Sequence, residues 1–237
     1  MDQSHASSPL AGAVHDLATE VVLALRSGDH LATVCGAAGI DEDNRTAIAA
    51  VRVIGADLLL PSVLYGRDPH PGDIAVLQRA VLEFPPRPDA SDAAVWSHWG
   101  MTSALHRTAA ATAPGQPPAV HGTDEPNAAW LEQTPWQAFT HQLSVLAPLA
   151  VPAASSAVHR AAAHRVVDLS RGFVRAVRRR NWLQAAGAGR WLAALDGRPD
   201  SLGLDRGLDF VELMGGADPR VALHVRAARL TAEGRAR

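Results

Sequence analysis

Apolar residues recur every three or four positions along most of this chain, which is the spacing of one face of an α-helix. The stretch 151–195 is the longest example. Its apolar positions step along one side of a helix: Val158, Ala162, Val166, Leu169, Phe173 and Val177. A second series lies roughly opposite and is rich in arginine: Arg160, His164, Arg171, Arg175 and Arg178. The pattern predicts a long helical region with one side for the core and one guanidinium-rich side.

Similar stripes, bounded by Gly, Pro, Ser and Asp, predict further helices. They cover about 10–27, 45–60, 73–84, 93–113, 127–132, 135–146, 205–214 and 218–232, with 182–195 continuing or restarting the central region. The run Val51–Leu60 is also β-prone, but no second strand is available to pair with it. We therefore expect an all-α fold, a single helical domain of about eight or nine mostly antiparallel helices with short Pro/Gly connectors.

The ends of the chain and one internal loop set the expected domain boundaries. Residues 1–9 are predicted to be a disordered tail, 10–232 the helical domain and 233–237 a frayed end. The segment 114–126 is rich in proline and glycine, and it is long enough for a lid, a linker or a weak subdivision of the domain.

Composition narrows the chemistry. All 22 basic residues are arginine, a bias that we attribute to a GC-rich bacterial genome, so lysine-dependent Schiff bases and phosphate loops are excluded. The net charge of −2 argues against nucleic acid as a partner. The single cysteine, Cys35, excludes an internal disulfide.

The expected location is the cytoplasm. The start of the chain lacks the pattern of a signal peptide, and the apolar stretches are too short or too interrupted to span a bilayer. We accordingly expect no membrane partner, and the sequence leaves open a homodimer.

Candidate ligand-binding residues concentrate in two places. Four of the six tryptophans fall within 96–141, and Trp96, Trp99 and His141 there combine apolar area with a titratable group. Arg171 and Arg175 could hold a carboxylate or phosphate in bidentate fashion. The alternatives are that the tryptophans fill an alanine-rich core and that the arginines form a solvated face.

The candidate catalytic residues are Glu83, His98 and His106. Glu83 lies beside Phe84 and a proline pair, an apolar setting that suits a general acid, and the two histidines are its natural partners. We expect no metal and no cofactor, since Glu-x-x-His and His-Glu-x-x-His patterns are absent.

Two function classes follow from these residues. The first is a small-molecule metabolic enzyme, for example in biosynthesis. It would perform metal-free general acid/base chemistry on a substrate that bears a carboxylate or phosphate and that could be aromatic. The alternative is a non-enzymatic helical module that binds a protein partner or senses a ligand. Arginines that face an enclosed cavity favour the enzyme, and arginines that face open solvent favour the module.

Overall fold

In the computed structural model, the described residues are 8–28, 33–40, 43–112, 124–152 and 155–235, and within them the secondary structure is helical, with no strand. The α-helices are α1 (Pro9–Ser27), α2 (Val34–Ala37), α3 (Arg45–Ile54), α4 (Leu60–Tyr65), α5 (Pro71–Glu83), α6 (Asp92–Thr112), α7 (Trp130–Gln133), α8 (Trp136–Val145), α9 (Ala157–His164), α10 (Val166–Arg178), α11 (Trp182–Ala194), α12 (Leu204–Gly215) and α13 (Pro219–Arg235). In this part of the chain, three 3₁₀ helices cover Gly55–Leu59, Ala147–Leu149 and Asp200–Leu202. The all-α class is confirmed.

Side chains at the helix starts explain why helices begin where they do. The Ser8 hydroxyl accepts from the backbone N–H of Ala11 at the start of α1, and Ser156 does the same for His159 in α9. Asn44 caps α3 and Asn181 caps α11. Each cap satisfies a backbone donor that has no partner within the helix.

The division into helices differs in detail from the predicted eight or nine, and the mostly antiparallel arrangement stays a prediction. The predicted helix 45–60 is divided at Gly55, whose φ of 64° ends α3 and starts a 3₁₀ segment. The central stretch forms three helices, because Arg165 interrupts it and the turn at Arg179–Asn181 ends α10. α13 continues to Arg235, beyond the predicted end at 232.

The described residues form a core of two clusters of buried apolar side chains. One is built mainly by α1, α3, α5, α6 and the 3₁₀ segment Gly55–Leu59. The other is built mainly by α8 to α12, with the fully buried Trp96 and Trp191. α13 contributes residues to both clusters, and α11 packs closely against it.

Glycine permits two close helix contacts beneath the candidate site. A Cβ at Gly172 of α10 would lie only 2.0 Å from Oγ1 of Thr140, and one at Gly187 of α11 would lie 2.7 Å from the backbone oxygen of Ser144. α8 therefore approaches both α10 and α11 at distances that a larger residue would prevent.

One helical run, Arg45–Tyr65, is long and apolar enough to cross a membrane by length and composition. Within its most apolar window, 61% is buried inside the protein. Core helices of soluble proteins show the same combination, so this run is weak evidence for a membrane span.

Candidate functional site

The arginine series of the central stretch lies on the surface. Within α10, Leu169, Phe173 and Ala176 are buried, whereas Arg171 and Arg175 on the other side are exposed. The amphipathic pattern of this helix is confirmed. Its guanidinium groups face solvent and are not enclosed in the core.

These arginines border an open groove of about 780 Å³. Its walls come from α10, from Trp136 at the start of α8 and from the segment that precedes α12. The apolar lining residues are Trp136, Val167, Val174, Pro199 and Leu202. The cationic lining residues are Arg171, Arg175, Arg178 and Arg179. The groove thus combines an apolar wall with four guanidinium groups.

Most of this positive charge has no carboxylate partner within the described chain. Arg171 lies 3.6 Å from Asp168, whereas Arg175, Arg178 and Arg179 form no ion pair with any described residue. The guanidinium carbon of Arg175 lies 5.5 Å from the ring centroid of Trp136, a cation–π contact that positions it over the groove. The geometry suits an anion with an apolar body.

The end of α10 holds the last arginines in place through backbone hydrogen bonds. Arg180 has a φ of 56°, its N–H donates to the carbonyl of Val177, and the N–H of Asn181 donates to that of Ala176. This pair of bonds with a left-handed residue is the Schellman ending of a helix, normally completed by glycine. Arginine at this position is strained, by about 1 kcal/mol.

A second depression, of about 580 Å³, adjoins the groove. It shares Trp136, Arg175 and Arg179 with the groove and adds His141 and Gln184. A smaller cavity of about 260 Å³ shares His141 and Gln184 with that depression. Because neighbouring cavities share lining residues, one continuous surface runs from the arginine groove past His141 to the small cavity.

Asp57 lines the small cavity and forms a buried ion pair with Arg190. Nη1 of Arg190 donates to Oδ2 of Asp57 at 2.8 Å, and Nε donates to the carbonyl of Ala150 at 3.3 Å. Nη2 also lies 2.8 Å from Oδ1, a second ion-pair contact whose geometry does not satisfy that of a hydrogen bond. Both side chains are almost completely buried, so the pair ties the first core cluster, through Asp57, to the second, through Arg190.

His224 completes this buried cluster. Its Nδ1 lies 3.2 Å from Nη1 of Arg190, and since arginine can only donate, Nδ1 accepts and the proton of the neutral ring is on Nε2. The pKa of His224 is lowered to about 4, chiefly by burial; the carboxylate of Asp57 opposes this shift, and the positive charge of Arg190 adds to it. The imidazole is therefore neutral at pH 7.

The three predicted catalytic residues lie away from this surface. Glu83 forms ion pairs with Arg79 at 3.2 Å and Arg45 at 3.3 Å. His98 and His106 lie on α6, and each has a buried ring nitrogen with no hydrogen-bond partner among the described residues. Burial, and secondarily Arg52, lowers the pKa of His98. None of the three lines the groove or its two adjoining cavities.

The predicted ligand-binding residues are divided between two regions. Arg171 and Arg175 share the groove, and Arg175 and His141 share the adjoining depression. Trp96 is fully buried, donates to the carbonyl of Asn127 and packs edge-on against Trp99 at 5.0 Å between ring centroids. Trp96 thus fills the core and cannot contact an outside ligand without a rearrangement, while Trp99 lines a separate cavity.

Sequence reasoning missed two members of the buried cluster, Arg190 and His224. A signal for Arg190 exists, since it is the one charged residue in the run 182–195, in which every other residue except Gln184 is apolar or small. Asp57 is also exceptional within its apolar segment. Nothing in the sequence pairs them, however, because they are 133 positions apart. Trp136 is not among the predicted ligand-binding residues, but it lines the groove.

No family model matches this chain, and no curated protein or solved structure is significantly similar to it.

Proposed function

We propose that the protein is a binding module for an amphiphilic anion, a carboxylate or phosphate with an apolar body, held in the arginine groove of α10. The observation that carries this proposal is the meeting of Arg175, Arg178 and Arg179, without carboxylate partners in the described chain, with the apolar wall of Trp136 and Val174. Guanidinium groups bind such anions through charge-assisted hydrogen bonds, and the apolar wall favours a ligand with a hydrocarbon or ring portion.

A purely structural use of the same arginines makes a different prediction. Arg175 and Arg178 lie in the last turn of α10, where cations complement the negative end of the helix dipole. That use requires neither Val174 nor the aromatic wall, and it predicts no affinity for any ligand. Binding experiments therefore separate it from the proposal.

The enzymatic alternative stays a prediction. It needs Glu83, His98 or His106 to act on a molecule held by Arg171 and Arg175, and the contacts of these side chains lie on different parts of the fold. An enzyme would require either a rearrangement or another base. The exposed face of α10 favours the binding module, which is also compatible with the predicted cytoplasmic location.

The experiment is a calorimetric titration with three matched probes. Octyl phosphate carries both chemical features, octanol only the apolar one and inorganic phosphate only the charge. We expect octyl phosphate to bind best, because it alone satisfies the arginines and the apolar wall together. Equal binding of octanol would contradict the role of the arginines, and no binding of octyl phosphate would refute the proposal.

Single variants locate the site. Arg175→Gln and Arg179→Gln should each weaken octyl phosphate binding by about tenfold, the value of one lost charge-assisted hydrogen bond. Arg87→Gln is the matched control, because Arg87 is 86% exposed and lies in the connector between α5 and α6. An equal effect of the control would show that binding follows net charge and not the groove.

A further inference from the structure

The exposed side of α12 carries a stripe of large apolar residues that the proposed groove does not use. Phe210, Leu213 and Met214 are spaced i, i+3, i+4, so they share one face of the helix, and Leu213 is 80% exposed. The opposite face of α12 packs into the core through Leu208 and Val211. The exposed side is thus a second apolar face, which internal packing does not explain.

Positive charge flanks this stripe. Arg206 is one turn before Phe210 and is exposed. The ring of Phe210 packs edge-on against Trp182 at 5.9 Å between centroids, and Trp182 directly follows the turn that carries Arg179 and Arg180. The apolar stripe and the arginine turn therefore belong to one side of the molecule.

The acidic residues of α12 reduce this positive charge little. Arg229 binds Asp209 at 2.7 Å and Glu212 at 2.6 Å, and Arg26 lies 3.7 Å from Glu212, so two arginines balance these two carboxylates. Asp205 is the carboxylate of α12 that has no ion pair with any described residue. Four exposed arginines have no ion pair with any described residue: Arg206 on α12 itself, and Arg178, Arg179 and Arg180 at the end of α10, just before the Trp182 that contacts Phe210. The charge of this side is complementary to an anionic surface.

We propose that this side of α12 docks on an anionic lipid surface, with Phe210, Leu213 and Met214 inserted among the acyl chains and the flanking arginines at the headgroups. Apolar side chains bounded by arginine are the arrangement by which amphipathic helices lie in a membrane interface. Each arginine near an anionic leaflet strengthens binding by about fivefold. The proposal revises the expectation of no membrane partner, which considered only spanning segments.

The test is co-sedimentation of the full chain with vesicles. Vesicles of phosphatidylcholine with phosphatidylglycerol should bind the protein at least about tenfold better than phosphatidylcholine alone, and added salt should weaken that binding. Equal binding to both vesicles, or binding that salt does not change, would overturn the proposal.

Two variant pairs test the surface itself. Leu213→Asp should abolish vesicle binding. Leu82→Asp on α5 is the control and should leave binding unchanged, because Leu82 is also an exposed leucine, at 69%, but lies outside the stripe. Arg206→Glu should weaken binding by about tenfold or more, since it reverses a charge at the headgroups, and Arg87→Glu should not. Equal effects within either pair would refute the assignment.

Other outcomes would assign the exposed side of α12 to a different partner. If Leu213→Asp instead abolished a dimer detected by sedimentation in the absence of lipid, the face would bind a second copy of this chain and the lipid proposal would fail. The groove is tested separately, because Leu213→Asp leaves octyl phosphate binding unchanged if both proposals are correct. Vesicle binding without octyl phosphate binding would remove the groove proposal alone.

Discussion

Acid should destabilise this protein through His224 in particular. The imidazole is mostly buried beside Arg190 and Asp57, with Arg220 and Asp218 as further charged neighbours, and burial is the largest cause that lowers its pKa to about 4. In the unfolded chain the pKa returns to about 6.5. Between these two values the unfolded state binds a proton that the folded state does not, so the free energy of unfolding falls as the pH falls through this window.

The size of the effect follows from the two pKa values. The difference corresponds to roughly 3 kcal/mol once the pH is below 4, and about 2 kcal/mol of it is already lost at pH 5. At pH 7 and above, His224 is neutral in both states and this loss of unfolding free energy is absent. This is a large share of the 5–15 kcal/mol that typically stabilises a domain.

The assay is urea unfolding at pH 7 and pH 5 for the wild type and His224→Gln. The variant should lose about 2 kcal/mol less than the wild type between the two pH values, whatever its absolute stability. His164→Gln is the control, because His164 is exposed, and it should retain the wild-type pH dependence. Burial also lowers the pKa of His98 and His159, so part of the dependence remains in every variant. An unchanged dependence in His224→Gln would refute the reasoning.

Three further changes test the packing. Arg190→Met should cost about 3–5 kcal/mol in urea unfolding, because it leaves the Asp57 carboxylate buried without its cation, and adding Asp57→Leu should recover most of the loss. Gly187→Ala should cost about 1–3 kcal/mol, since its Cβ would meet the backbone oxygen of Ser144 at 2.7 Å, and a neutral result would show that α8 can shift. Arg180→Gly should raise stability by about 0.5–1 kcal/mol by removing a strained left-handed residue, and a loss would mean that its side chain makes a stabilising contact.

The helical fold was readable from the sequence because the apolar spacing is local information. The stripe of α10 predicted its buried side, and caps such as Ser156 mark where helices begin. The breaks were harder to predict. The central stretch is interrupted at Arg165 and Arg180, and arginine is a residue that commonly occurs inside helices. Glycine or proline at these positions would have predicted the helix ends.

Part of the candidate site was also predictable. Arg171 and Arg175 share the groove because they are one turn apart on the same helix face. The buried pair of Asp57 and Arg190 was not predictable, because the contact joins two helices far apart in sequence and the pattern of each helix is complete without it. The position of Trp136 in the groove was not predicted, because an aromatic residue at a helix start is compatible with either core or surface.

The central claim is that the arginine groove of α10 binds an amphiphilic anion. Its most direct test is a ¹H–¹⁵N NMR titration with octyl phosphate that follows backbone amides and the arginine side-chain Nε–H groups. We predict saturable shifts confined to the groove arginines of α10 and the turn after it, the start of α8 near Trp136 and the segment 199–202; the groove arginines are Arg171, Arg175, Arg178 and Arg179. Shifts centred on α6 instead, around His98 and His106, would favour the enzymatic alternative, and the absence of any saturable shift would contradict the account.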